Sequence, residues 1–256
     1  MEGIVTYDRE RVRVVEIRRP ETRNAIDAKT GDDLFEVFQN FDLDTTVDVA
    51  VLTGADGTFC SGADLTAIAG EDMIDRVGPG DKSPLGPLRL TLGKPVIAAI
   101  EGHAVAGGLE LAMWCDMRVA ARDAVLGVFC RRFGVPLVDM GTIRLPRMIG
   151  HGRAMDLILT GRAVEGPEAL SMGLVNRLAE PGEALQKALE LARALSALPQ
   201  VCLRNDRRSA IEQWDLSTED AVANEARLGL ETIASGEPIE GARSFKDGVG
   251  RHGEPA

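Results

Sequence analysis

Between Pro95 and Trp114 the chain passes from an unbroken apolar run, through glycines, straight into helix-forming residues. Pro95 to Ile100 reads as a strand buried on both faces, and Leu109 to Trp114 as the opening of a buried helix. The join between them is Glu101-Gly102-His103-Ala104-Val105-Ala106-Gly107-Gly108-Leu109-Glu110. The first N–H groups of a helix have no partner inside it, and the aligned peptide dipoles make that end positive. Such a join therefore predicts amides open to an anionic oxygen. Gly107 and Gly108 let a ligand approach the backbone, and Glu110 stands in the first turn beside it. Taken alone, Glu110 reads better as a carboxylate favourably placed near a positive helix end, worth ~0.3–1 kcal/mol.

A second segment has a related character. Val47 to Leu52 is a short buried strand that ends at Thr53-Gly54 and leads into a Gly- and Asp-rich loop over 54–64. The loop closes on Phe59-Cys60-Ser61-Gly62-Ala63-Asp64-Leu65, where small residues before an acid permit a sharp turn with exposed amides. An ordinary loop, with Asp64 near a helix start, fits the same residues.

Around these segments, residues 11–17 alternate as a half-buried strand. Leu34, Val37, Phe38 and Phe41 give the helix over 27–41 one apolar stripe. Residues 118–121 and 125–128 read as short strands, and 70–94, rich in glycine and proline, as a loose, partly mobile stretch that shapes a pocket. The remainder reads as helical. The helix over 183–198 stops at Pro199, and that over 219–234 starts from Ser217 and closes at Gly236. The order strand, strand, helix recurs, so the expected fold class is α/β with a helical tail.

Several chemistries are excluded. Gly102, Gly107 and Gly108 do not make a dinucleotide fingerprint, and Leu109 stands where a P-loop needs lysine. The three histidines, His103, His151 and His252, lack zinc-ligand spacing, and there is no Gly-x-Ser-x-Gly elbow. A net charge of −11 argues against nucleic acid or an anionic membrane as partner, and no apolar run is long enough to span a bilayer. The N-terminus lacks the layout of a signal peptide, and the four cysteines form no CxxC pair, so a reducing, cytoplasmic setting is expected.

Taken together, Phe59 to Leu65 and Lys94 to Ala121 resemble the two oxyanion-hole signatures of the enoyl-CoA hydratase/isomerase (crotonase) family, and the likeness continues through Arg144 to Arg162 and covers roughly residues 10–250. The resemblance implies a crotonase-like ββα spiral core over 1–195 and a C-terminal helical oligomerisation domain over 196–256, with a homotrimer or a hexamer (a dimer of trimers) as the assembly. It implies an acyl-CoA thioester as substrate, with no separate cofactor and no metal, since coenzyme A is part of the substrate. The N–H groups of Ala63 and Gly107 would form the oxyanion hole, with Ser61, Gly62, Asp64, Leu65 and Gly108 around it. Asn24, Ala25 and Ile26 would approach the adenine and pantetheine portions, and Glu110 would be the main acid/base. Two amides aimed at a thioester oxygen stabilise the enolate more than the ground state, which is catalysis and not only binding.

The family pattern is broken at one place. Cys130 aligns with the second glutamate of authentic hydratases, and a thiol cannot replace a carboxylic acid without a strongly shifted pKa. Asp139 aligns near a functional aspartate of related dienoyl-CoA isomerases and an aryl-CoA dehalogenase, so it is the candidate second acid/base. Capping of the turn at Gly141, or pairing with Arg144 or Arg131, is the alternative. Arg18, Arg19 and Arg23, or Arg243, Lys246 and Arg251, would meet the CoA phosphates if they are more than solvated charges, and Phe245 either packs on the adenine or belongs to the core. Two functions follow: hydratase or isomerase chemistry on an acyl-CoA, or a non-catalytic CoA-thioester-binding protein that lost the second glutamate.

Overall fold

The computed structural model describes residues 3–70 and 73–249 and divides the chain into two compact units, Met1–Arg193 and Ala194–Ala256. Among the described residues of the first unit, nine strands form two sheets. The larger runs in the order β1 (Ile4–Arg9), β2 (Val12–Ile17), β3 (Val49–Gly54), β4 (Val96–Ile100), β6 (Met117–Ala121), β9 (Arg177–Ala179), and the smaller comprises β5 (His103–Val105), β7 (Val125–Gly127) and β8 (Val164–Glu165). β1 and β2 form an antiparallel hairpin, and every later pairing in the larger sheet is parallel: Val12 faces Val49, Ala50 faces Val96, and Ile97 faces Met117. Every residue of β4 and five of the six in β3 are buried, which is why both read as apolar runs with no alternation.

Helices cover the sheet. α1 (Ala28–Leu43) is capped by Asp27, whose side chain accepts from Thr30 N, and it buries Leu34, Val37, Phe38 and Phe41 as the periodicity predicts. Phe38 meets Trp114 edge-to-face at 4.7 Å between ring centres. There follow α2 (Leu65–Ala69), α3 (Gly107–Trp114), α4 (Gly141–Ile149), α5 (His151–Thr160), α6 (Gly166–Ser171) and α7 (Ala184–Ser196). The second unit holds α8 (Gln200–Glu212), α9 (Thr218–Ser235) and α10 (Glu237–Lys246); Ser217 caps α9 and Gly236 ends it in the left-handed conformation.

The structure differs from the sequence reading in four strands. The chain after 128 is not wholly helical, since β8 and β9 interrupt it, and β1 precedes the first strand read from sequence. The join over 102–108 is not one turn, because His103–Val105 extends and pairs with Val125–Gly127. Among the described residues no helix is long and apolar enough to cross a membrane.

Candidate active site

The loop over 60–64 is laced on one side to the strand before α3 and on the other to Ile26. Cys60 N donates to His103 O and Val105 N donates to Cys60 O, so Cys60 bridges Ala104 as a one-residue strand. On the other side, Ile26 N donates to Gly62 O and Asp64 N donates to Ile26 O. Those bonds use the groups on either side of Ala63, and its own N–H therefore points the opposite way. Gly107 is the first residue of α3, where an N–H has no helical acceptor. Among the described residues neither the Ala63 nor the Gly107 N–H finds an acceptor.

The two amides are held close together. A Cβ on Gly62 would lie 2.7 Å from Gly107 N, and one on Gly107 would lie 3.5 Å from Ala63 N. Gly62 adopts φ +99°, and Ala106, which enters α3, is held at φ 54°, ψ −125°. That conformation is costly for a residue with a Cβ, and here it turns the Gly107 N–H outward.

Both amides border a cavity of ≈ 920 Å³ within the first unit. Its wall includes Arg23, Ala25, Ser61, Ala63, Asp64, Leu65, Gly107, Glu110, Cys130 and Asp139, with apolar lining from Ile68, Met73, Ile74, Val77, Leu85, Phe129, Phe133, Val135 and Val138. The stretch over 70–94 thus supplies part of the lining, as its composition led us to expect.

Glu110 is almost wholly buried, and its Oε1 accepts from Asp139 N (3.0 Å) and Gly141 N (2.8 Å). Gly141 opens α4, and a Cβ there would lie 2.6 Å from Glu110 Oε1, so the carboxyl approaches this turn only because glycine stands in it. Burial, followed by the nearby Asp139 carboxyl, pushes the Glu110 pKa up to about 8 against the pull of those two amides and Arg144. Asp139 is also buried and its pKa is raised by burial, opposed by the Ser83 hydroxyl, Arg89, the Leu85 amide and Arg144. Its Oδ1 has no hydrogen-bond partner among the described residues. Arg144 Nη2 donates to Leu88 O, Nη1 is unpartnered in the same sense, and burial lowers its pKa to about 10. The Cys130 thiol is buried at the cavity wall with its pKa raised by burial and by Glu110.

Some expected contact residues do not line the cavity. Asn24 is fully buried: its Nδ2 donates to Ala55 O (2.9 Å) and Thr58 O (2.6 Å), and its Oδ1 accepts from Arg19 N (2.9 Å). Ile26 is core, Gly62 lies behind the amides, and Gly108 packs on Cys60. These four position the wall. Phe245 is more than half exposed on α10 of the second unit.

Of the basic residues, Arg19 is tied to Asp27 (2.9 Å) and Asp64 (3.3 Å), and Arg18 to Glu16, while Arg23 borders the cavity. Arg131 and Arg132 donate to Ile158 O and Gly161 O, and Arg132 stacks on Phe129, so neither pairs with Asp139. Arg251 lies outside the described residues.

One amide from a strained strand-to-helix turn and one from the neighbouring loop thus converge on a largely apolar cavity beside a buried carboxyl, an arrangement suited to negative charge on a carbonyl oxygen. The chain matches the enoyl-CoA hydratase/isomerase family over residues 8–249, and it belongs to that family. It is 34% identical to enoyl-CoA hydratase EchA19 of Mycobacterium tuberculosis, over 91% of this chain and 90% of that protein. It is 33% identical to a short-chain-enoyl-CoA hydratase of Clostridium acetobutylicum, over 88% of each. Among solved structures, enoyl-CoA hydratase EchA1 from Mycobacterium marinum superposes with a TM-score of 0.90 at 34% identity, covering 96% of each chain.

Proposed function

We propose that this enzyme binds an acyl-CoA thioester, stabilises its enolate at the Ala63 and Gly107 amides, and moves protons with Glu110, with Asp139 as second acid/base. The observation that carries this reading is the pair of acceptor-less amides beside a cavity that Glu110 and Asp139 also line. Each amide is preorganised, so it needs no rearrangement as charge develops on the thioester oxygen. Both hydrogen bonds to the Glu110 carboxyl fall on Oε1, so Oε2 is the oxygen available for proton transfer. A carboxyl with a pKa near 8 is poised to both give and take a proton near neutrality.

Ala25, Ser61, Asp64 and Leu65 would contact the substrate along the wall, and Arg23 supplies a charge for a phosphate. Coenzyme A arrives as part of the substrate, and no separate cofactor or metal enters the proposed chemistry. A homotrimer or a dimer of trimers is the proposed assembly, supported by exposed Val222, Leu230, Ile233 and Ile239 in the second unit. The buried thiols of Cys60, Cys115 and Cys130 support a reducing, cytoplasmic setting.

The test is turnover of crotonyl-CoA, followed as loss of the enoyl absorbance, with wild type, Glu110→Gln and Asp139→Asn. Turnover abolished by both substitutions supports hydration with Asp139 in the role of the absent glutamate. Binding of acyl-CoA with no turnover of crotonyl-CoA or of isomerisable enoyl-CoAs would favour the non-catalytic reading, to which Cys130 lends weight.

A further inference from the structure

The guanidinium of Arg89 ties a stretch of the cavity wall to the loop that follows another. Its Nη1 donates to Gly78 O and to Gly80 O (3.2 Å), and its Nη2 donates to Val138 O (3.0 Å). Gly78 to Gly80 come directly after Val77 in the chain, and Val77 lines the cavity; Val138 lines it too, with Phe133 and Val135. Among the described residues, Arg89 is the one hydrogen-bond partner of the backbone from 78 to 82, a glycine- and proline-containing loop whose far end is tied by its side chain alone, Lys82 pairing with Asp32 (2.5 Å) and lying over Phe35.

The contact with Val138 also reaches the proposed acid/base. The carbonyl of Val138 and the N–H of Asp139 belong to the same planar peptide, and that N–H donates to Glu110 Oε1 at 3.0 Å. Arg89 and Glu110 therefore grip opposite edges of one rigid unit. A cation on the carbonyl edge polarises the N–H edge, and it fixes the plane in which that N–H points.

Resting on the acyl-CoA reading above, we propose that Arg89 is a specificity-determining and positioning residue, which clamps the 78–80 loop as an outer wall of the acyl site and orients the Glu110 carboxyl through the 138–139 peptide. An acyl group that fits beneath the clamped loop leaves the peptide in register with Glu110. One that displaces the loop pulls on the guanidinium that holds it. Lysine cannot replace this arrangement, because a single ammonium on a flexible stem lacks the planar fork that reaches carbonyls on both sides.

The test uses full-length Arg89→Met and Arg89→Lys. Saturated acyl-CoA esters from butyryl to palmitoyl are titrated for Kd, and kcat and KM are measured on the corresponding enoyl-CoA series. We expect wild type to discriminate by chain length, and both variants to flatten that dependence by ~10-fold or more in the ratio of Kd values, equivalent to ~1.4 kcal/mol. Both should also lower kcat by ~10-fold at every length, the cost of a misplaced proton-transfer group. A variant that keeps wild-type circular dichroism with an unchanged length profile and unchanged kcat overturns the proposal. If Arg89→Met does not fold, Arg89→Lys alone decides it. Wild type that binds no acyl-CoA overturns the acyl-CoA reading itself, and the role of Arg89 with it.

Discussion

The backbone N–H of Asp139 donates to Glu110 Oε1 at 3.0 Å, so one of the two cavity carboxyl residues holds the other in place through its main chain. Its side chain has the opposite effect. The Asp139 carboxyl repels charge on Glu110 and helps raise its pKa to about 8. Geometry and electrostatics in this pair can be separated by substitution.

Asp139→Asn keeps the N–H and removes the charge. Glu110 should then lose a proton more easily, and the apparent pKa of the Glu110 limb in the rate of α-proton exchange of butyryl-CoA, a step that needs Glu110 and not the Asp139 carboxyl, should fall below about 8. A pH–rate profile of the variant checks this. An unmoved or raised pKa would show that the two carboxyls do not feel one another.

Gly62→Ala tests the amide pair without touching a titratable group. The added Cβ would lie 2.7 Å from Gly107 N, at a φ of +99° that alanine resists, so the two donors must part. We expect kcat to fall ~10²–10³-fold, the usual effect of losing one oxyanion donor, with acyl-CoA Kd changed far less. Equal losses in kcat and in affinity would place the amides in ground-state binding only.

The thiol of Cys130 is buried, its pKa is raised, and it faces the cavity without the means to deliver a proton near neutrality. Cys130→Ala should therefore keep kcat within about threefold of wild type, since Glu110 and Asp139 carry the proton traffic. Loss of ~10²-fold or more would assign the sulfur a direct role.

The buried Glu110 should also make stability depend on pH. Its folded pKa of about 8 lies above the ordinary 4.5, so the folded chain holds this proton more tightly than the unfolded chain does. The contribution is fully present below pH 4.5 and is lost as pH rises through about 8. Relative to Glu110→Gln, wild type should lose on the order of 1–3 kcal/mol of stability between acidic and alkaline buffer. Urea unfolding of both proteins at the two extremes measures the difference; an unchanged or reversed difference would rule out a raised carboxyl.

The strand-to-helix join was legible in the sequence because glycines next to an apolar run leave the backbone few alternatives, and it places Gly107 and Glu110 as expected. The helix over 27–41 was legible from its apolar stripe, and α9 from Ser217 and Gly236. β1 was not, since only Ile4 of its six residues is buried, and neither was β9, whose three residues are too few to show a period. The extended His103–Val105 was hidden because its partners, Cys60 and Val125–Gly127, are remote in sequence. Asn24 was legible as part of a loop but not as a buried staple, because its three hydrogen bonds go to backbone groups on other segments. Arg89 carried no signal at all, since its partners are carbonyls, which every residue has.

The most direct measurement of the central claim is exchange of the α-protons of butyryl-CoA with deuterated water. It reads enolate formation whether the physiological reaction is hydration or isomerisation. The account predicts that wild type and Cys130→Ala catalyse exchange, that Gly62→Ala does so ~10²–10³-fold more slowly, and that Glu110→Gln does not. Butyryl-CoA bound by wild type without exchange, or exchange that survives Glu110→Gln, would contradict it.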